Sequence, residues 1–240
     1  MRYMGGKSRL AKSIRDVILQ RVPSPGVTYW EPFVGGCGSF EVIAPEFDKA
    51  VGSDTHEDLI LMWQQLRAGW TPPTEVSEGE YRQLRDAEPS ALRGFVGFGG
   101  SFGGKWFGGD ARGGKTSKGE PRNHQAESAR NVLRTRDKLS ETDVRFECAG
   151  YEEITPTPGD VVYCDPPYKG TTEYRDAGFD SEKFWAWCDS LVDSGVYVFV
   201  SEYEAPEGWV EIYRKELLSS TDLASKRKTA TDRLYTKINR

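Results

Sequence analysis

The chain has 240 residues, 37 % of them apolar and 29 % charged, a balance that excludes wholesale disorder and suffices for one large domain or one domain with an insertion. No run approaches the ~20 apolar residues of a membrane span. Residues 1–7 hold no apolar leader core, and four scattered Cys (Cys37, Cys148, Cys164, Cys188) with two His argue for a reduced, intracellular protein without a zinc site. Net charge is −5, yet residues 101–140 and 214–240 each sum to +5, so local phosphate-binding patches remain open to an acidic chain.

Leu10, Ile14, Val17 and Ile18 predict a helix over 7–21, stopped by Pro23-Ser24-Pro25-Gly26. A strand over Val27–Trp30 follows, then Gly35-Gly36-Cys37-Gly38 and a short helix. Lys49–Ser53 predicts a second strand ending at Asp54. Thr55 and Asp58 fit a capping box that opens a helix to about Leu66. The order strand, glycine turn, helix, strand, acid is that of a nucleotide-binding α/β unit.

Ten of the 21 residues from Gly94 to Gly114 are Gly, interleaved with Phe95, Phe98, Phe102, Trp106 and Phe107. That composition predicts a folded or ligand-ordered loop rather than a regular element or a flexible linker. A basic helix over Gln125–Leu139 comes next. Strands over Val144–Phe146, Asp160–Cys164 and Val196–Ser201 follow, with a helix over Ser181–Val192. Trp209–Tyr213 and Arg233–Ile238 suit a closing antiparallel hairpin.

Asp165-Pro166-Pro167-Tyr168 is the most informative segment. A strand running into two prolines has no further ladder donors, so the tetrapeptide becomes a stiff projection at the carboxyl edge of the sheet, where open α/β folds bind ligands. A carboxylate, free carbonyls and an aromatic face emerge together and suit a planar substrate with an exocyclic amine. Gly5-Gly6-Lys7-Ser8 lacks the spacing of a P-loop, and Glu41 stands where a dinucleotide fingerprint needs its third Gly.

In combination, Tyr3-Met4-Gly5-Gly6-Lys7, Glu31-Pro32-Phe33-Val34-Gly35-Gly36-Cys37-Gly38, Asp54 and Asp165-Pro166-Pro167-Tyr168 resemble the Dam-like DNA adenine-N6 methyltransferases in their alpha motif order. The resemblance implies a Rossmann-like α/β sheet that binds S-adenosylmethionine (AdoMet), formed by residues 1–68 and 140–240. It places a small, helical and loop-rich target-recognition region at 69–139. Tyr3, Lys7, Phe33, Val34, Gly35, Gly36, Cys37 and Gly38 would surround the donor's methionine end, and Asp54 its ribose. Tyr151 would lie near its adenine, with Gly150 where the family often has an acid. Asp165, Pro166, Pro167 and Tyr168 would grip a flipped-out adenine, Asp165 also facing the donor. Lys105, Arg112, Lys115, Arg122, Arg130, Arg134, Lys226, Arg227 and Lys228 would meet double-stranded DNA. No metal, membrane or obligate protein partner is expected, and the implied setting is the cytoplasm of a prokaryote or a phage-infected cell. Cytosine-N4 methylation and a decayed, DNA-binding relative stay open; the missing third Gly and the DPPY segment weigh against an oxidoreductase.

Overall fold

A computed structural model of the chain describes residues 1, 3–22, 27–115, 119–168, 178–218 and 229–237. Seven strands form its frame: β1 (Thr28–Glu31), β2 (Lys49–Asp54), β3 (Asp143–Cys148), β4 (Val161–Cys164), β5 (Tyr197–Ser201), β6 (Val210–Leu218) and β7 (Thr229–Thr236). Their order is β3-β2-β1-β4-β5-β7-β6. The first five are parallel, and β7 runs antiparallel to both neighbours. This is a Rossmann-like sheet whose strand order reverses between β1 and β4. That reversal opens a crevice at their carboxyl ends.

Strand periodicity explains why the sheet is covered on both faces. Tyr29, Val161, Tyr163 and Phe199 point to one face, where α1 (Ala11–Leu19), α2 (Phe40–Ile43) and α3 (Glu57–Arg67) contribute Ile14, Ile18, Phe40, Leu59 and Trp63. Trp30, Val162, Cys164, Val198 and Val200 point to the other. There α7 (Ser181–Asp193) packs Phe184, Trp185 and Cys188. No helix among the described residues is long and apolar enough to cross a membrane.

Residues 69–139 fold onto the first face. α4 (Glu78–Arg85), α5 (Ala91–Gly94) and α6 (His124–Lys138) place Tyr81, Phe95, Phe98, Ala129 and Val132 in the same hydrophobic cluster as α1 and α3. The glycine-rich stretch is not irregular throughout. α5 runs into a π-helical turn over Phe95–Gly99 that is buried along its length. Two of its glycines answer to close packing. A Cβ on Gly94 would lie 2.2 Å from the Asp58 carbonyl oxygen, and one on Gly97 would lie 2.2 Å from the Trp106 ring. The expected capping box is also absent: His56 caps α3 without a side-chain bond. Asp58 instead accepts the Ser90 amide at 2.8 Å and pairs with Arg93 at 2.6 Å, a tertiary tie to α5.

Glu31, at the end of β1, is buried between Ser39 and Tyr29, whose hydroxyls donate to its two oxygens at 2.5 and 2.6 Å. Burial outweighs these bonds and pushes its carboxyl up to about 8. A carboxyl that stays protonated in the fold but ionises near 4.5 in the open chain stabilises fully below 4.5, and that contribution is lost as pH rises to about 8. Glu31→Gln, which cannot ionise, should therefore remove on the order of a few kcal/mol of pH dependence. Denaturant midpoints of both proteins at pH 5 and pH 8 check this. Equal pH slopes would contradict the buried neutral acid.

Candidate active site

At the β1/β4 reversal the chain encloses a cleft of about 670 Å³, within the range of small-molecule sites. Its wall begins with the turn after β1. Gly35 and Cys37 take positive φ (45° and 56°). The Val34 amide donates to Ser53 and the Gly35 amide to Asp54 Oδ2 at 3.1 Å, so β2 holds the turn. Asp54 Oδ1 accepts the His56 amide at 3.0 Å. Burial holds the Asp54 carboxyl above its ordinary range despite these bonds.

The N-terminal segment lies across this turn. A Cβ on Gly36 would stand 2.5 Å from Tyr3 Cβ, and one on Gly38 would stand 2.7 Å from Ser8 Oγ. The two glycines therefore admit residues 3–8 of the chain itself. The segment continues to Lys7, whose Nζ reaches the end of β4: 3.3 Å from Asp165 Oδ1 and 3.1 Å from Asp232 Oδ1 of β7. Burial pulls the Lys7 ammonium down, but the two carboxylates outweigh it and hold it above its ordinary range. Asp165 is half-buried, and desolvation raises its carboxyl against the opposing pull of Lys7. Lys7 meets Asp165 Oδ1 as an ion pair at 3.3 Å, and among the described residues this buried oxygen has no well-formed hydrogen bond.

Tyr168 is 9 % exposed and lies beneath Lys7 Nζ, 4.3 Å from the ring centroid. Tyr203 meets it edge-on at 4.7 Å. At the opposite end, Phe33, Tyr151 and Phe179 form an aromatic wall, with Phe33 and Tyr151 stacked at 5.8 Å. Glu153 Oε2 folds back to accept the Gly150 amide at 2.6 Å and lines the same cleft.

The D12 class N6 adenine-specific DNA methyltransferase family matches residues 3–86 and 113–228, most of the chain. The chain belongs to this family. The gap in the D12 match, residues 87–112, holds α5 and all but the last two residues of the glycine-rich segment. The Type II methyltransferase M.CviBI of Paramecium bursaria Chlorella virus NC1A is 32 % identical over 69 residues, 29 % of this chain and 25 % of the viral protein. The match thus spans a quarter of that curated relative. Among solved structures, the putative methyltransferase yhhF from Escherichia coli aligns with TM-score 0.40 and 11 % identity over 97 % of this chain and 88 % of that one. Magnesium protoporphyrin IX methyltransferase (ChlM) from Synechocystis PCC 6803 aligns at 0.43 and 10 % identity over 97 % and 80 %.

The cleft of this D12 chain gathers Tyr3, Lys7, Phe33, Val34, Gly35, Gly36, Gly38, Asp54, Tyr151, Asp165, Pro166, Pro167 and Tyr168. Cys37 is not among its lining residues. Its side chain is fully buried in the core, where burial pushes the thiol well up. The basic candidates stand outside. Arg112 pairs with Asp110 at 2.5 Å and Arg122 with Glu127 at 2.7 Å. Lys105 and Lys115 are exposed. Arg130 and Arg134 are exposed on α6 and carry no ion pair among the described residues. Lys226, Arg227 and Lys228 lie outside the described residues. Sequence reasoning missed Asp232, Tyr203 and Glu153, each a single residue with no local pattern to mark it.

Proposed function

We propose that the chain transfers a methyl group from AdoMet to the N6 amine of an adenine extruded from double-stranded DNA. The observation that carries this reading is Asp165 Oδ1, a buried acceptor on the cleft wall beside the Tyr168 ring, met there by the Lys7 ammonium at 3.3 Å. AdoMet supplies a methyl on a cationic sulfur. The residues fit it: Asp54 spends one lone pair per oxygen on backbone amides, leaving others for ribose hydroxyls. The aromatic wall suits a purine, and Glu153 brings a carboxylate to Gly150, where the family resemblance places an acid.

An exocyclic amine conjugated into its ring is a poor nucleophile. Asp165 and the Pro166 carbonyl accept its two N–H bonds, which favours a pyramidal nitrogen with an available lone pair. The Asp165 charge then stabilises the cationic amine as it forms. Tyr168 stacks on the extruded base and recovers about 1–3 kcal/mol of lost stacking. Residues 69–139 carry target recognition, with α6 on the phosphates.

Nucleoside analysis of DNA incubated with the chain and AdoMet tests the reading, with single-molecule mapping to locate the modified base. N6-methyladenine supports it. N4-methylcytosine would move it to the cytosine alternative, and DNA binding without methylation to a decayed relative. For the DNA face, Arg130→Gln with Arg134→Gln should flatten the plot of log affinity against log salt by about two, one counterion for each lost phosphate contact. An unchanged slope removes α6 from the phosphates.

A further inference from the structure

Resting on the reading above, we propose that Lys7 stands in for the target amine while no base is bound. We further propose that Asp232 is the positioning residue that takes over its ammonium when a base arrives. The substrate needs two contacts here, an N–H donated to Asp165 and a stack on Tyr168. One ammonium occupies both: Lys7 Nζ is 3.3 Å from Asp165 Oδ1 and 4.3 Å from the Tyr168 ring centroid. An adenine cannot enter that position until Lys7 withdraws.

Withdrawal has a physical difficulty. The Lys7 side chain is only 10 % exposed, and a buried ammonium stripped of its carboxylate is strongly disfavoured. Asp232 removes that cost. Its Oδ1 already lies 3.1 Å from Nζ, so Lys7 can release Asp165 without losing a counter-ion. β7 holds Asp232 in place through antiparallel pairing opposite Lys215 of β6. The geometry also supplies a direction. A second cleft of about 690 Å³, lined by Ser8, Arg9 and Gly103, adjoins the first. Lys7 and Asp232 line both. The pair thus lies on the wall the two clefts share, together with Tyr3, Gly5, Gly6, Gly36 and Gly38, and Lys7 moves along that wall rather than out into solvent.

Charge supports the arrangement. With Lys7 and both aspartates ionised the cluster carries one net negative charge when a neutral adenine is bound. Positive charge developing on N6 brings it toward neutrality, which favours transfer over the resting site.

Steady-state kinetics on a duplex carrying the mapped target decides the matter. Asp232→Asn leaves Asp165 as the sole carboxylate for Lys7, which then competes harder with the base. KM for DNA should rise about tenfold or more, the weight of one charge-assisted bond. Saturating kcat should stay within about threefold, and calorimetric affinity for S-adenosylhomocysteine should not move. Asp232→Glu should restore KM. Lys7→Met combined with Asp232→Asn removes the buried charge and its counter-ion together and covers the case in which Asp232→Asn alone is unstable. Its KM for DNA should return to the wild-type value or below. A KM unmoved in Asp232→Asn, a loss confined to kcat, a parallel fall in S-adenosylhomocysteine affinity, or a double variant no better than the single one overturns the proposal. Failure of the wild-type chain to methylate adenine overturns the reading beneath it; a methylating wild type with any of those results overturns this inference alone.

Discussion

Asp165→Ala should lower methyl transfer by about 10³-fold or more and leave S-adenosylhomocysteine binding within about threefold. The size follows from what the carboxylate is asked to do. In the proposed mechanism it accepts a bond that strengthens as N6 becomes cationic, so its loss would fall on the transition state rather than on uniform binding. The fold tolerates the change, because Lys7 keeps Asp232 as a counter-ion at 3.1 Å and no ammonium is orphaned. Asp165→Asn is the volume-conserving control. Its amide can turn only one acceptor toward the base, and its NH2 opposes either the amine or Lys7, so it should be nearly as inactive. Transfer of a labelled methyl group reads the rate, and calorimetry reads the cofactor side. Turnover near wild type in either variant would exclude Asp165 from the reaction. Since burial raises this carboxyl above its ordinary range against the pull of Lys7, the acid limb of kcat/KM should lie above the ~3.9 of a solvated Asp.

The parts of this site that announce themselves in the sequence are the parts whose cause is local. β4 is legible because four apolar residues run into two prolines, a pattern with few alternative folds. The β1 turn is legible because its glycines cluster, although what they admit is the chain's own Tyr3 and Ser8 as much as any ligand. Where the cause is distant, local pattern misleads. Asp58 has the spacing of a helix cap, yet Ser90 and Arg93 claim it from another helix. The glycines of 94–100 read as a loop, yet they sit in a helical turn with Asp58, Trp106 and Gln125 pressed against them. Asp232 had no mark at all: a lone acid in a basic stretch acquires its role only when β7 is laid beside β5 and points it at Lys7. Glu31 was read as part of a motif, but its neutral state depends on burial that no spacing encodes.

Gly36→Ala tests whether the N-terminal segment is a wall of the site, and its effect should be second only to loss of Asp165. Gly36 has no positive φ, so the substitution strains nothing in its own backbone. The obstruction is steric: the new Cβ would sit 2.5 Å from Tyr3 Cβ and 3.1 Å from Tyr3 Cγ. A β-carbon cannot rotate away, so the backbone at Tyr3 must shift, and Lys7 follows it along the same segment. Overpacking of this kind costs about 1–3 kcal/mol. The functional loss should be larger, because residues 3–7 both line the donor cleft and deliver the ammonium to Asp165. We expect S-adenosylhomocysteine affinity to fall at least tenfold and turnover about a hundredfold, while Tm drops by a few degrees. Tyr3→Gly in the Gly36→Ala background removes the atom in conflict and should recover part of the cofactor affinity. Tyr3→Ala keeps that atom and should recover none. Equal recovery by the two would mean that ring loss, not the Cβ contact, governs the site, and a Gly36→Ala protein that binds cofactor normally would place the segment outside the machinery.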